Sequence, residues 1–136
     1  MQIKECTAED VPLLARLNKH FFEEENAETD LSLPHLEERM SGYINSDFKA
    51  FLFQNDEKIV GYALCDLAKR PVYLRQFFVS REERRKGYGS QAFRLLLEKL
   101  DIETTDMEVY YWNDMGSAFW NSLGFKTRRN KIISDK

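Results

Sequence analysis

The chain has 136 residues, 43% of them hydrophobic, and a formal net charge of -3. That is the length and apolar supply of one compact domain, residues 1–136, and the balance excludes the broad basic field of a non-specific nucleic-acid binder. No apolar run approaches the roughly 18 residues of a membrane span, and "MQIKECTAED" lacks a signal-peptide layout, so a cytoplasmic protein with neither a membrane nor a nucleic-acid partner is expected.

In chain order, "MQIKECT" predicts a short strand, and Thr7 and Asp10 are the polar types that open a helix. Val11, Leu14, Leu17 and Phe21 then mark one helical face. After the acidic "EEEN" and "DLSLP", the stripe Leu36, Met40, Ile44 predicts a second helix. "FKAFLFQNDEKIVGYALCDL" has β-formers on both sides of a polar "NDEK", a hairpin signature. "VYLRQFFV" follows as a strand with Pro71 at its start, where a missing N–H does least harm. Beyond it, "RRKGYGS" runs into a helix with apolar residues at Phe93, Leu96, Leu97 and Leu100. "MEVYYW" predicts another strand, "SAFWNSLGF" a short helix and "TRRNKII" a last strand. The expected order is β-α-α-β-β-β-α-β-α-β, an α/β (α+β) fold. Cys6 and Cys65 lie far apart without C-x-x-C spacing, which excludes a disulfide framework and predicts two buried thiols; no metal site is expected.

The glycine junction carries the chemistry. A helix start exposes backbone N–H groups without intrahelical partners, and the aligned peptide dipoles favour an anion there. Gly87 and Gly89 remove Cβ atoms that would hold a phosphate away from those amides, and Arg84, Arg85 and Lys86 add positive charge. The third glycine of a G-x-G-x-x-G dinucleotide fingerprint is absent, and Gly89 is followed by Ser90 and Gln91 instead of the Lys-Ser/Thr of a Walker loop. Taken alone, the two glycines fit a tight turn as well as a phosphate cradle.

Two segments resemble the GNAT superfamily of acyl-CoA-dependent N-acetyltransferases. Arg84, Gly87 and Gly89 match its Q/R-x-x-G-x-G/A signature, and "NDMGSAFWNSLGF", Asn113 to Phe125, is similar to its N-x7-aromatic-x3-G-F segment. The resemblance implies a single domain with a mixed, mostly antiparallel sheet, splayed central strands and helices on both faces. It implies acetyl-CoA as co-substrate, with the pantetheine arm along Phe77, Phe78 and Val79. The pyrophosphate would meet the amides of Arg85, Lys86, Gly87, Tyr88, Gly89 and Ser90, with the Arg84 and Lys86 side chains nearby. Asn113 would lie beside the arm, and Phe119 and Trp120 near the thioester.

Acyl transfer needs a neutral amine, a donor aimed at the developing oxyanion and a proton for the leaving thiolate. By resemblance the donor is the Val79 N–H. The position where relatives carry a thiolate-protonating Tyr is Trp120, whose indole has no usable acidity, so Tyr73 and Tyr111 become the candidates. No acid stands on the strand before the glycines to act as base, and water takes that part. The resemblance also implies an acceptor pocket roofed by "HFFEEENAETDLSLPH", which brings in Phe22 and Glu25. Arg75, unusual in an apolar strand, is the candidate contact for an acidic part of the substrate. The function expected is acetyl transfer to a primary amine of a small molecule or protein by direct attack in a ternary complex, with homodimerisation left open. A GNAT-like module that senses acyl-CoA without turnover is the alternative.

Overall fold

A computed structural model describes residues 1–24, 32–84, 86–108, 118–120, 122–123, 125–128 and 131–134. In chain order these form β1 (Gln2–Glu5), α1 (Val11–Glu24), α2 (Leu33–Ile44), β2 (Phe48–Asn55), β3 (Lys58–Asp66), β4 (Tyr73–Val79), α3 (Tyr88–Leu100), β5 (Asp106–Glu108), β6 (Phe125–Arg128) and β7 (Lys131–Ser134). Ala118, Phe119, Trp120 and Ser122 also have helical backbone. The seven strands make one sheet in the order β1-β2-β3-β4-β5-β7-β6. All pairings are antiparallel except β4 with β5.

Local chemistry accounts for the boundaries. The Thr7 N–H donates to the Asp10 carboxylate at 2.8 Å, closing a 3-10 turn that feeds directly into α1. Ser32 caps α2 by accepting from the His35 N–H, and α2 takes in Pro34 in its first turn, where the missing N–H has no partner to lose. The "NDEK" hairpin forms as expected, with Asn55 opposite Lys58. The stretch expected as one last strand is two: Thr127 and Arg128 belong to β6, and Lys131 begins β7, which folds back on it. β7 inserts between β5 and β6.

The sheet buries a cluster on each face. One gathers Phe53, Leu74, Met107 and Trp120 against Ala92, Phe93 and Leu96 of α3. The other gathers Leu52, Tyr62, Leu64 and Phe78 against Leu14 and Leu17 of α1 and Met40 of α2. Helices thus cover both faces.

Two irregularities in β4 position everything that follows. Its parallel pairing with β5 consists of Tyr73 opposite Asp106 and Leu74 opposite Met107, and no further pair is described. On the β3 side, Cys65 lies opposite Leu74 but Leu64 opposite Gln76, so Arg75 is an extra residue, a β-bulge. The bulge reverses the side-chain alternation. Leu74 belongs to the α3-side core, whereas Gln76 hydrogen-bonds to Asn18 of α1 on the other side. Unbroken alternation would have put Tyr73, Arg75 and Phe77 on one face; instead Arg75 lies over the ring of Tyr43 in α2 while Phe77 packs with Phe93 of α3.

Candidate functional site

Beyond the bulge, β4 presents an edge toward β5. The Ser80 N–H donates to the Val60 carbonyl at 2.8 Å, so even-numbered residues in this part of β4 direct their backbone groups toward β3. By alternation, the N–H groups of Phe77 and Val79 point the opposite way, to the side of β4 on which β5 pairs. The resemblance singled out Val79; the strand phase adds Phe77. The Val79 carbonyl is occupied, accepting from Arg84 Nε at 3.0 Å.

The edge leads to the glycine turn. Gly87 has φ +76°, a left-handed conformation that a side chain would strain, and a Cβ there would project into open space. At Gly89 the reason for glycine differs: a Cβ would stand 2.9 Å from the ring of Phe119. One side of Gly89 is therefore closed by an aromatic ring, and the open approach to α3 lies over Gly87. No side chain caps α3, so the amides of its first turn, from Tyr88 to Ser90, form an anion-favouring end. The Tyr88 hydroxyl accepts from Asn55 at 2.9 Å, which ties this turn to the β2–β3 hairpin.

The described basic side chains of the turn, Arg84 and Lys86, each meet a carboxylate. Arg84 turns back over the Phe78 ring, 5.8 Å from its centroid, and its guanidinium meets the Glu24 carboxylate at the end of α1. Arg81 approaches the same carboxylate at 3.8 Å. Lys86 pairs with Glu83 at 3.2 Å, and Glu83, itself buried, also pairs with Lys58. Hydrogen bonds from Lys58 and then Lys86 hold the Glu83 carboxyl below its ordinary range. Arg84 and Glu24 are 60 residues apart in sequence, and no local pattern announces their pairing.

The aromatic residues divide between core and cleft. Trp120 is buried, with its ring 5.1 Å from Phe77 and 5.3 Å from Phe93, both edge-on. The structure thus places Trp120 within the α3-side core. Phe119, half-buried, lies near-parallel to Phe77 at 6.0 Å and reaches the glycine turn. Phe78 is buried on the opposite face against Phe21 and Tyr62.

On the acceptor side, Phe22 packs on Phe21 and lies under the Arg39 guanidinium. Tyr73, at the start of β4, carries Lys69 over its ring and sits in the last stretch paired with β5. Beneath them is a polar network that sequence reasoning missed. Asn18 Nδ2 donates to both the Tyr62 hydroxyl, at 3.0 Å, and Gln76 Oε1, at 2.9 Å, and Tyr62 donates to the same Gln76 oxygen at 2.8 Å. All three residues are buried, and burial pushes the Tyr62 phenol well above its ordinary range. Cys6 and Cys65 are buried, and burial pushes both thiols up to about 12. Glu25, Arg85, Tyr111 and Asn113 lie outside the described residues. Among the described residues, no three His, Cys, Asp or Glu side chains converge as a metal site requires, and no helix is long and apolar enough to cross a membrane.

Helices on both faces of a mostly antiparallel sheet, with a glycine turn opening α3, define a mixed α/β fold. The model described as "Acetyltransferase (GNAT) family" matches residues 12–125. The chain belongs to that family. Solved structures agree on the fold. A mutant of the BH1408 protein from Bacillus halodurans is 23% identical with a TM-score of 0.76, covering 95% of each chain. A possible acetyltransferase from Clostridium difficile 630 is 18% identical at 0.76, covering 99% of this chain and 96% of that one. The Thermoplasma acidophilum PaiA N-acetyltransferase, crystallised with coenzyme A, is 17% identical at 0.72, covering 97% and 95%. No curated protein matches the sequence.

Proposed function

We propose that this protein transfers an acetyl group from acetyl-CoA to a primary amine, on a small molecule or a protein, by direct attack within a ternary complex. The observation that carries the reading is the line from the Phe77–Val79 edge of β4 to the glycine turn at the start of α3, where Gly87 opens onto free space. The fit is physical: an extended pantetheine arm has amides to pair with that edge, and a pyrophosphate suits the α3 end over the open side of Gly87. Acetyl-CoA supplies the activated thioester. The Phe77 or Val79 N–H, on the side of β4 turned away from β3, stabilises charge on the carbonyl oxygen without reorganising. Phe119 closes one side of the glycine turn. Tyr73, in the stretch of β4 paired with β5, is the described candidate to protonate the thiolate, and solvent takes the amine's proton.

The thiols support direct attack over an acyl-cysteine route. Thiolates are the acyl-accepting form of cysteine, and two buried thiols pushed up to about 12 hold almost none at neutral pH. Mass spectrometry after incubation with acetyl-CoA alone should find no acetyl group on Cys6 or Cys65; a stable adduct on either would replace direct attack with a two-step route.

A second reading, a sensor that binds acyl-CoA without turnover, draws support from β4 itself. Its polar side chains are Tyr73, Arg75 and Gln76, with no carboxylate or imidazole. Calorimetry with CoA and thiol release over an amine panel decide between the two. Binding with thiol release supports the transferase, binding without release supports the sensor, and no binding removes both.

A further inference from the structure

Two arginines on the α1/α2 side have their charge uncommitted. Arg75, the bulge residue, is exposed, and its guanidinium lies 5.5 Å from the centroid of Tyr43. Arg39 stands one helical turn before Tyr43 on α2, and its guanidinium lies 5.7 Å from the centroid of Phe22. Residues four apart share a helix face, so Arg39 and Tyr43 lie on one side of α2, with Phe22 against the first and Arg75 against the second. Among the described residues neither arginine has a carboxylate within ion-pair distance. Glu24, at the end of α1, is engaged by Arg84 and Arg81.

Position gives this surface its meaning. Arg75 directly follows Leu74, the last residue of β4 described as paired with β5, and lies on the strand that leads to Val79 and the glycine turn. The bulge turns its side chain away from the α3 face. Resting a guanidinium on a ring holds its plane in place and leaves its N–H edge free for a planar anion. Two such edges on one face suit a carboxylate or a phosphate better than a cation.

We infer that Arg75 and Arg39 form an anion subsite that selects acceptors bearing an acidic group near the reacting amine. The inference rests on the transferase reading and narrows its substrate class. The test uses β-alanine, phosphoethanolamine and β-alaninamide, which present a carboxylate, a phosphate and a neutral amide beside a primary amine. Thiol release from acetyl-CoA should show kcat/KM for at least one anionic acceptor exceeding that for the amide by about tenfold to a hundredfold, the scale of one charge-assisted contact. Whichever of the two leads identifies the anion. Arg75→Gln should collapse the preference, lowering kcat/KM for the anionic acceptors far more than for the amide, Arg39→Gln should reduce it, and Arg75→Lys should retain part of it. Equal use of the three acceptors, preference for the amide, or a preference that survives Arg75→Gln in a folded protein would overturn the subsite. If no amine releases thiol, the transferase reading has failed, and calorimetry of N-acetyl-β-alanine and N-acetylphosphoethanolamine on the CoA-bound protein judges the subsite by itself. Binding lost in Arg75→Gln upholds it, and no binding of either overturns it.

Discussion

The two faces of the sheet are built from different materials. Toward α3 the core is a stack of rings, with Phe53 5.1 Å from Phe77, and Trp120 edge-on to both Phe77 and Phe93. Toward α1 and α2 the apolar cluster encloses the Asn18–Tyr62–Gln76 network. Apolar contact is non-directional and tolerates small adjustments, whereas a satisfied buried polar network accepts one arrangement. The α3 face therefore supplies stability, and the other face supplies orientation beneath the acceptor side of β4.

The most direct way to break that contrast is to empty the α3 face. Trp120→Ala should cost about 3–5 kcal/mol, the range for a large aromatic truncated in a core, and denaturant melts should show it as a lower midpoint at constant slope. A cost under about 1 kcal/mol would mean that the ring does not carry the face. The resemblance had assigned Trp120 to the cofactor; the packing makes loss of stability its first consequence.

On the α1/α2 face the same logic predicts a sign that depends on how many partners are removed. Gln76→Leu keeps the approximate volume but strips the acceptor from the Tyr62 hydroxyl and one Asn18 proton, so it should destabilise by about 1–3 kcal/mol. Removing the network as a unit, with Asn18→Leu, Tyr62→Phe and Gln76→Leu together, should cost less than the sum of the three single changes. Strict additivity in the melts would show that the three side chains are not coupled, and the contrast between the faces would fail.

The contrast also marks how far the sequence could be read. Apolar stripes such as Leu14–Leu17 and Phe93–Leu96, the "NDEK" hairpin and the glycine turn are set by local spacing, and the structure has them. The bulge at Arg75 is set by register with β3, which no single-strand pattern contains, so plain alternation along β4 would put Arg75 and Phe77 on one face when they lie on opposite ones. The polar network joins residues 14 to 58 apart, and Arg84 meets Glu24 60 residues away. The division of "TRRNKII" into two strands is likewise a matter of pairing, since β7 folds back on β6. The glycines were found by motif, but the reason for Gly89 became visible only with Phe119 in place.

That difference between the glycines gives the next test, where the α3 face meets the turn. Gly87→Ala should cost about 1–2 kcal/mol through left-handed backbone strain alone, since its Cβ meets nothing. Gly89→Ala acts through contact, because its Cβ presses on Phe119. Adding Phe119→Ala should therefore offset the Gly89→Ala penalty and leave that of Gly87→Ala unchanged. Thermal melts of the two double variants separate strain from contact, and equal relief in both would make Phe119 irrelevant to the turn.

The smallest effect expected concerns the tether between the turn and the β2–β3 hairpin. Glu83 is held below the ordinary glutamate range by Lys58 and Lys86. A carboxyl whose folded pKa is depressed binds fewer protons folded than unfolded as the pH falls into the acid range. Its contribution is fully present above the unfolded value, about 4.3, and is lost as the pH drops through the lower folded value. Glu83→Gln should therefore lower Tm at pH 7 by less than either core variant does, because both lysines reach into solvent and salt screens them. The gap to wild type should shrink in high salt and narrow as the pH falls below about 4. A gap that widened toward acid would mean that Glu83 is stabilised in its protonated form, and the two lysines would then not be what anchors the turn.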